Sequence, residues 1–200
     1  MNFSPVVLVA SVAALACGPV SAQPASAAAG AQHEHAMKGS AKKLTDKQKM
    51  ALAMSAGPKQ VSAAATIVDL TEMDKPVTLR KGSNGWACFY MPGETMCLDP
   101  VWQKWAAAWM SKGAFSTTET GVGYMLNGDS GASNTDPWAD KQTADNHWVV
   151  SPPHVMLLLP DAKGLDAYPT EWSGGGPWVM WKGTPYAHVM LPVSQTLGAK

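Results

Sequence analysis

The sequence predicts an α+β fold, a mostly antiparallel β-sheet with a few helices packed on one face. Two observations carry that expectation. Short apolar or alternating runs recur from Gly121 onward, separated by Gly, Pro and Asn turns. Two segments, opening at Thr45 and Asp99, carry the start signals and apolar spacing of helices.

Thr45 is a good N-cap, with Gln48 three residues on as its capping-box partner. Met50, Leu52 and Met54 give that helix apolar character, and Gly57-Pro58 stops it. A short turn over 58–64 leads into a strand from Ala65 to Leu70. Val77 to Arg80 and Trp86 to Tyr90 are predicted to form a hairpin, because Gly82-Ser83-Asn84-Gly85 between them is turn chemistry. Met91-Pro92-Gly93 turns the chain again. Asp99 caps the clearest helix, and Pro100 suits its first position. Trp102, Trp105 and Trp109 fall at i, i+3 and i+7, on one face, until Lys112-Gly113 closes the helix. This stripe is expected to pack on the sheet rather than to bind sugars, and its indole N–H groups then need partners or a wet edge. Strands follow at Val122 to Leu126, His147 to Val150 and Val155 to Leu159. A last hairpin, Trp178 to Trp181 with Ala187 to Val193, turns around Gly183-Thr184-Pro185. A long polar loop over 127–146, turned at Asn134-Thr135-Asp136-Pro137, is of a length that often serves function.

Before the domain comes an export signal. Val6 to Ala16 is an apolar run too short to span a bilayer, and Val20-Ser21-Ala22 forms a cleavage box before Gln23. Residues 1–22 are thus read as a signal peptide, although Met1 to Pro5 contains no Lys or Arg. Cys17 offers a second, less fitting route, as the acylated residue of a lipoprotein. Residues 23–43 lack a periodic apolar face and read as a flexible tether; His33-Glu34-His35 lies within it. Residues 44–200 form a single domain, and no later segment is apolar enough to cross a membrane. The expected location is periplasmic or secreted.

The 15 basic and 15 acidic residues cancel, and no basic stripe marks a nucleic-acid partner. Nine Trp and twelve Met are unusually many. In an oxidising compartment Cys88 and Cys97 should form a disulfide. Eight intervening residues argue against a redox pair, and no further ligands for zinc lie near.

The pattern with most chemistry is a near-repeat. Pro153-His154-Val155-Met156-Leu157 is echoed by Ala187-His188-Val189-Met190-Leu191. Alternate strand residues share a face, so His154 goes with Met156 and His188 with Met190. In neighbouring strands of matched register, two imidazoles and two thioethers would converge, a set that suits copper as Cu(I). Against it, Met is ordinary core filler. Asp136, Trp138 and Tyr186 are the candidate ligand-binding residues beside the long loop. Gly128-Asp129-Ser130-Gly131 has the wrong chain order around it for a serine protease and reads as a turn. Asp129, Asp136, Asp140 and Asp145 lack EF-hand spacing, and Gly174-Gly175-Gly176 lacks the context of a phosphate cradle.

The segments LRKGSNGWACF, MCLDPVWQKWAAAW, GASNTDPWA, PPHVMLLLP and VMWKGTPYAHVMLPV together resemble a family of uncharacterised secreted bacterial proteins, over roughly residues 58–193. The resemblance implies export and one domain, and it carries over no catalytic residue. The functional expectation is an exported envelope protein binding a small molecule or a metal ion, with a role in stress. The alternatives are a periplasmic hydrolase using a His general base and a structural or interaction protein of the envelope.

Overall fold

The computed structural model describes residues 43–193. The predicted signal peptide, Cys17, His33, His35 and nearly all of the tether lie outside the described residues. Within them the α+β expectation holds: eight strands make one mixed, mostly antiparallel sheet, accompanied by a few helices. None of these helices is long and apolar enough to cross a membrane.

The first helix, α1 (Asp46–Ser55), starts with the expected capping box. Thr45 Oγ1 accepts from the Gln48 amide, and Gln48 Oε1 accepts from the Thr45 amide at 2.9 Å. Its buried face differs from the apolar one expected. Ala53 and Lys49 are inside, whereas Leu52 is exposed. Lys49 can be buried because its ammonium donates to Asp69 and to Thr71 Oγ1. Burial pushes the Asp69 carboxyl upward, but hydrogen bonds from Lys49 and Thr71 outweigh it and hold the group below its usual value.

After a single turn, α2 (Lys59–Ser62), come β1 (Thr66–Asp69), β2 (Val77–Arg80), β3 (Ala87–Met91) and β4 (Glu94–Leu98). The hairpin expected between β2 and β3 does not form. Strand β1 lies between them, antiparallel to β2 and parallel to β3. The Asn-Gly segment is held by other groups. Asn84 Nδ2 donates to the Val61 carbonyl at 2.8 Å, and the Ser83 amide donates to the Ala64 carbonyl. The Arg80 guanidinium binds the carbonyls of Ser62 and Ala65. These ties draw the turn toward the start of β1 and open a slot for that strand. The true hairpin is β3–β4, turned at Pro92-Gly93 with Gly93 at φ 87°. Cys88 and Cys97 face each other across it and are joined as the predicted disulfide.

Helix α3 (Pro100–Met110) starts as expected. Asp99 Oδ1 accepts from the Trp102 amide at 2.8 Å, and Oδ2 accepts from the Val122 amide. One carboxylate thus caps the helix and ties it to the next strand. The sheet continues through β5 (Gly121–Met125), β8 (His154–Leu158) and β10 (His188–Pro192) to β9 (Trp178–Met180). The expected last hairpin, β9–β10, is present. Two short strands, β6 (Ala132–Ser133) and β7 (Trp148–Val149), pair across the long loop.

The helices do not share one face. Cys97 and Leu98 are adjacent in β4 and so point to opposite sides. Helix α1 packs on the Cys88–Cys97 side with Ala53, Ala56 and Ile67. Helix α3 packs on the Leu98 side with Met125, Met156 and Leu158. Gly121 of β5 lets α3 come close, and Gly123 leaves room for Met156. A Cβ on Gly121 would lie 3.1 Å from Val101 Cβ, and one on Gly123 would lie 2.9 Å from Met156 Cε. The buried alanines and the tryptophan stripe each supply an apolar helix face, so each side of the sheet acquires its own helix.

Candidate functional site

The register assigns a set of side chains to the α3 side of the sheet. Met125 pairs with His154, Gly123 with Met156 and Gly121 with Leu158. Met156 pairs with Met190, and His188 with Met180. Between this face, α3 and the long loop lies a cavity of about 460 Å³. Eight of the chain's twelve methionines line it. The sheet contributes Met91, Met96, Met125, Met156, Met180 and Met190. Met110 on α3 and Met73 before β2 are exposed and stand at its open edge. Trp102, Trp105, Trp109 and Trp181 complete an almost wholly apolar wall.

Three indole N–H groups hold the long loop over this face. Trp109 Nε1 donates to the Pro137 carbonyl at 3.0 Å, Trp178 Nε1 to Asn134 Oδ1 at 3.1 Å, and Trp181 Nε1 to the Ser133 carbonyl at 2.6 Å. The tryptophan stripe therefore packs on the sheet, as expected, and through Trp109 also anchors the loop. Trp105 stacks nearly parallel on Trp181, with ring centroids 5.7 Å apart. The N–H groups of Trp102 and Trp105 are buried without a hydrogen-bond partner.

Both histidines are buried and both line the cavity. His154 Nδ1 is 2.7 Å from the Pro152 carbonyl, and His188 Nδ1 is 2.9 Å from the Tyr186 carbonyl. A carbonyl only accepts, so Nδ1 carries the proton and Nε2 keeps its lone pair. His188 stands edge-on to the rings of Trp102, Trp105 and Trp181 at 5.2–5.6 Å. Burial pushes its pKa down to about 4. Burial also lowers the pKa of His154, against the pull of the Pro152 carbonyl, Asp129 and Glu94. His154 Nε2 is buried and unpartnered.

The four residues of the near-repeat share one face and one cavity, but the imidazoles do not meet. His154 lies opposite Pro192, whereas His188 lies opposite Met180. Antiparallel strands run their sequences in opposite directions. Setting Met156 against Met190 therefore sends the two histidines to opposite ends of the pair.

Asp136 lines the cavity and is exposed. Trp138 is 45 % exposed and packs edge-on to Tyr186, with the Lys112 ammonium over its ring. Tyr186 is buried, and its hydroxyl donates to the Gly113 carbonyl at 2.6 Å. Trp138 and Tyr186 thus brace the end of α3 from outside the lining. Gly128-Asp129-Ser130-Gly131 is a turn: Gly128 and Gly131 have positive φ, and the Ser130 hydroxyl donates to Glu94. Neither histidine has a carboxylate on Nδ1 to orient it as a general base.

Sequence reasoning missed Met96, Met125 and Met180, and with them the cavity. The charged lining residues are Glu94, Asp129 and Asp136; none is Lys or Arg. Among the described residues, no three His, Cys, Asp or Glu side chains gather as a metal cluster. Comparison with protein-family models, with curated proteins and with solved structures gives no match, so this Met- and Trp-walled cavity is what speaks for function.

Proposed function

We propose that the chain is an exported binding protein that takes a small, largely apolar ligand, neutral or cationic, into the cavity between the sheet, α3 and the long loop. The cavity itself carries this reading. Its volume of about 460 Å³ falls in the range of small-molecule sites. Its walls are apolar, and two polar atoms of lining residues, His154 Nε2 and Trp105 Nε1, are buried without a partner. A buried polar group without a partner costs about 1–3 kcal/mol, which a ligand group of matching chemistry recovers. The carboxylates of Glu94, Asp129 and Asp136, with no basic lining residue, disfavour an anion. The Cys88–Cys97 disulfide supports an oxidising compartment.

The uncharged fluorescent probe N-phenyl-1-naphthylamine tests the proposal. Wild-type protein should bind it saturably, one per chain. Ala106 lines the cavity, and Ala106→Phe should weaken binding by about tenfold or more by filling space, with cooperative unfolding retained. Binding that survives Ala106→Phe unaltered would place the probe elsewhere and sink the assignment.

A further inference from the structure

We propose that one end of the cavity is a soft-metal site for Cu(I), formed by His154 Nε2 and the thioethers of Met125 and Met156, with Met96 in the same row. This goes beyond the apolar-ligand reading. It uses the same cavity but requires no organic ligand.

Met125 is the direct cross-strand partner of His154, and Met156 follows His154 by two residues on the same face. Directly opposed residues have Cβ atoms about 4.5–5.5 Å apart, and neighbours two along a strand about 7 Å. Cys97 pairs with Tyr124 and Leu98 with Gly123, so continuing that register sets Met96 beside Met125. Each Met has three rotatable bonds, enough to swing its sulfur toward a point above the imidazole. His154 itself is fixed, because its Nδ1 is held by the Pro152 carbonyl. That bond leaves a lone pair on Nε2, fully buried and otherwise unused. Thioether and imidazole donors select Cu(I), whereas Ca²⁺ and Mg²⁺ require oxygen. The carboxylates of Glu94 and Asp129 act electrostatically on His154 and favour a cation there. His188 is excluded from the ligand set. It lies at the other end of the strand pair among three indoles, and Met190 lies between the two ends.

The test is competition for Cu(I) against bicinchoninate under anaerobic, reducing conditions. The full chain is used, with His33→Ala and His35→Ala present throughout so that the tether does not contribute. One Cu(I) per chain should be withdrawn from the chelator, and copper-edge X-ray absorption should show sulfur and nitrogen neighbours. Met125→Leu with Met156→Leu keeps the side-chain volume and should weaken Cu(I) binding at least tenfold. His154→Ala should abolish it, and the double Met variant covers the case in which His154→Ala fails to fold. No uptake, equal uptake by the double Met variant, or a spectrum without sulfur overturns the proposal. N-phenyl-1-naphthylamine binding is measured on the same samples. Retained probe binding with no Cu(I) uptake sinks the metal site alone, and loss of both sinks the cavity reading as well.

Discussion

His188 makes stability depend on pH with a definite sign. Burial holds its folded-state pKa near 4, against about 6.5 in the unfolded chain. Between those values the unfolded state binds the extra proton, so acid favours unfolding. Its contribution is complete above pH 6.5 and falls as pH drops toward 4, by about 3 kcal/mol in all. Urea midpoints between pH 7 and pH 4 should show this slope in wild type, and His188→Leu should reduce it, leaving the share of the likewise lowered His154. An unchanged slope would mean that His188 does not titrate on unfolding. At this scale the sequence was a partial guide. The His-Val-Met echo located two buried histidines. Nothing in the sequence marked Lys49 as buried, because its partner, Asp69, lies in another element. Burial of a lysine depends on that partner and not on its neighbours in sequence.

Among the elements, the β3–β4 hairpin carries the covalent constraint. Its disulfide joins directly opposed residues, and α1 ends against it: a Cβ on Gly57 would lie 2.9 Å from Cys97 Sγ. The chain-entropy account of a loop this short gives roughly 2.5–3 kcal/mol. Cys88→Ser with Cys97→Ser should lower unfolding stability by about that amount and leave N-phenyl-1-naphthylamine binding measurable, since the disulfide faces away from the cavity. A variant as stable as wild type would assign the bridge no stabilising role. Helix starts were legible because their signals are local: Thr45 with Gln48, and Asp99 with Pro100, need only a few residues. The β2–β3 pairing was not legible. Asn84-Gly85 has hairpin chemistry, but Asn84 binds Val61, twenty-three residues away. Local turn preference gave way to a tertiary bond.

For the whole molecule, the fold class followed from strand and helix counting, but the distribution of helices over two faces did not. That distribution depends on which residues lie opposite each other across the sheet. Leu98 and Cys97 each look apolar in sequence, and only strand pairing decides that one meets α3 and the other α1. The cavity was hidden for the same reason. Its methionines come from separate elements and become a cluster only through register. The export expectation also carries a test. Expressed in a bacterium with its first residues intact, the protein should be recovered outside the cytoplasm with Gln23 as its N-terminus. Intact-mass analysis checks this; a mature chain beginning at an acylated Cys17 would instead establish the lipoprotein route.

The close approach of α3 to Gly121 bears on how such a protein can change over time. Cavity methionines can be exchanged for leucines at small cost, because volume is kept and the side chains are adaptable. Ligand preference is therefore free to drift. Gly121 is not free in that way, since one added methyl group there meets Val101 and Trp102 of α3 at 3.1 Å. It sets how closely α3 lies on the sheet, so the contents of the chamber can change more readily than its wall.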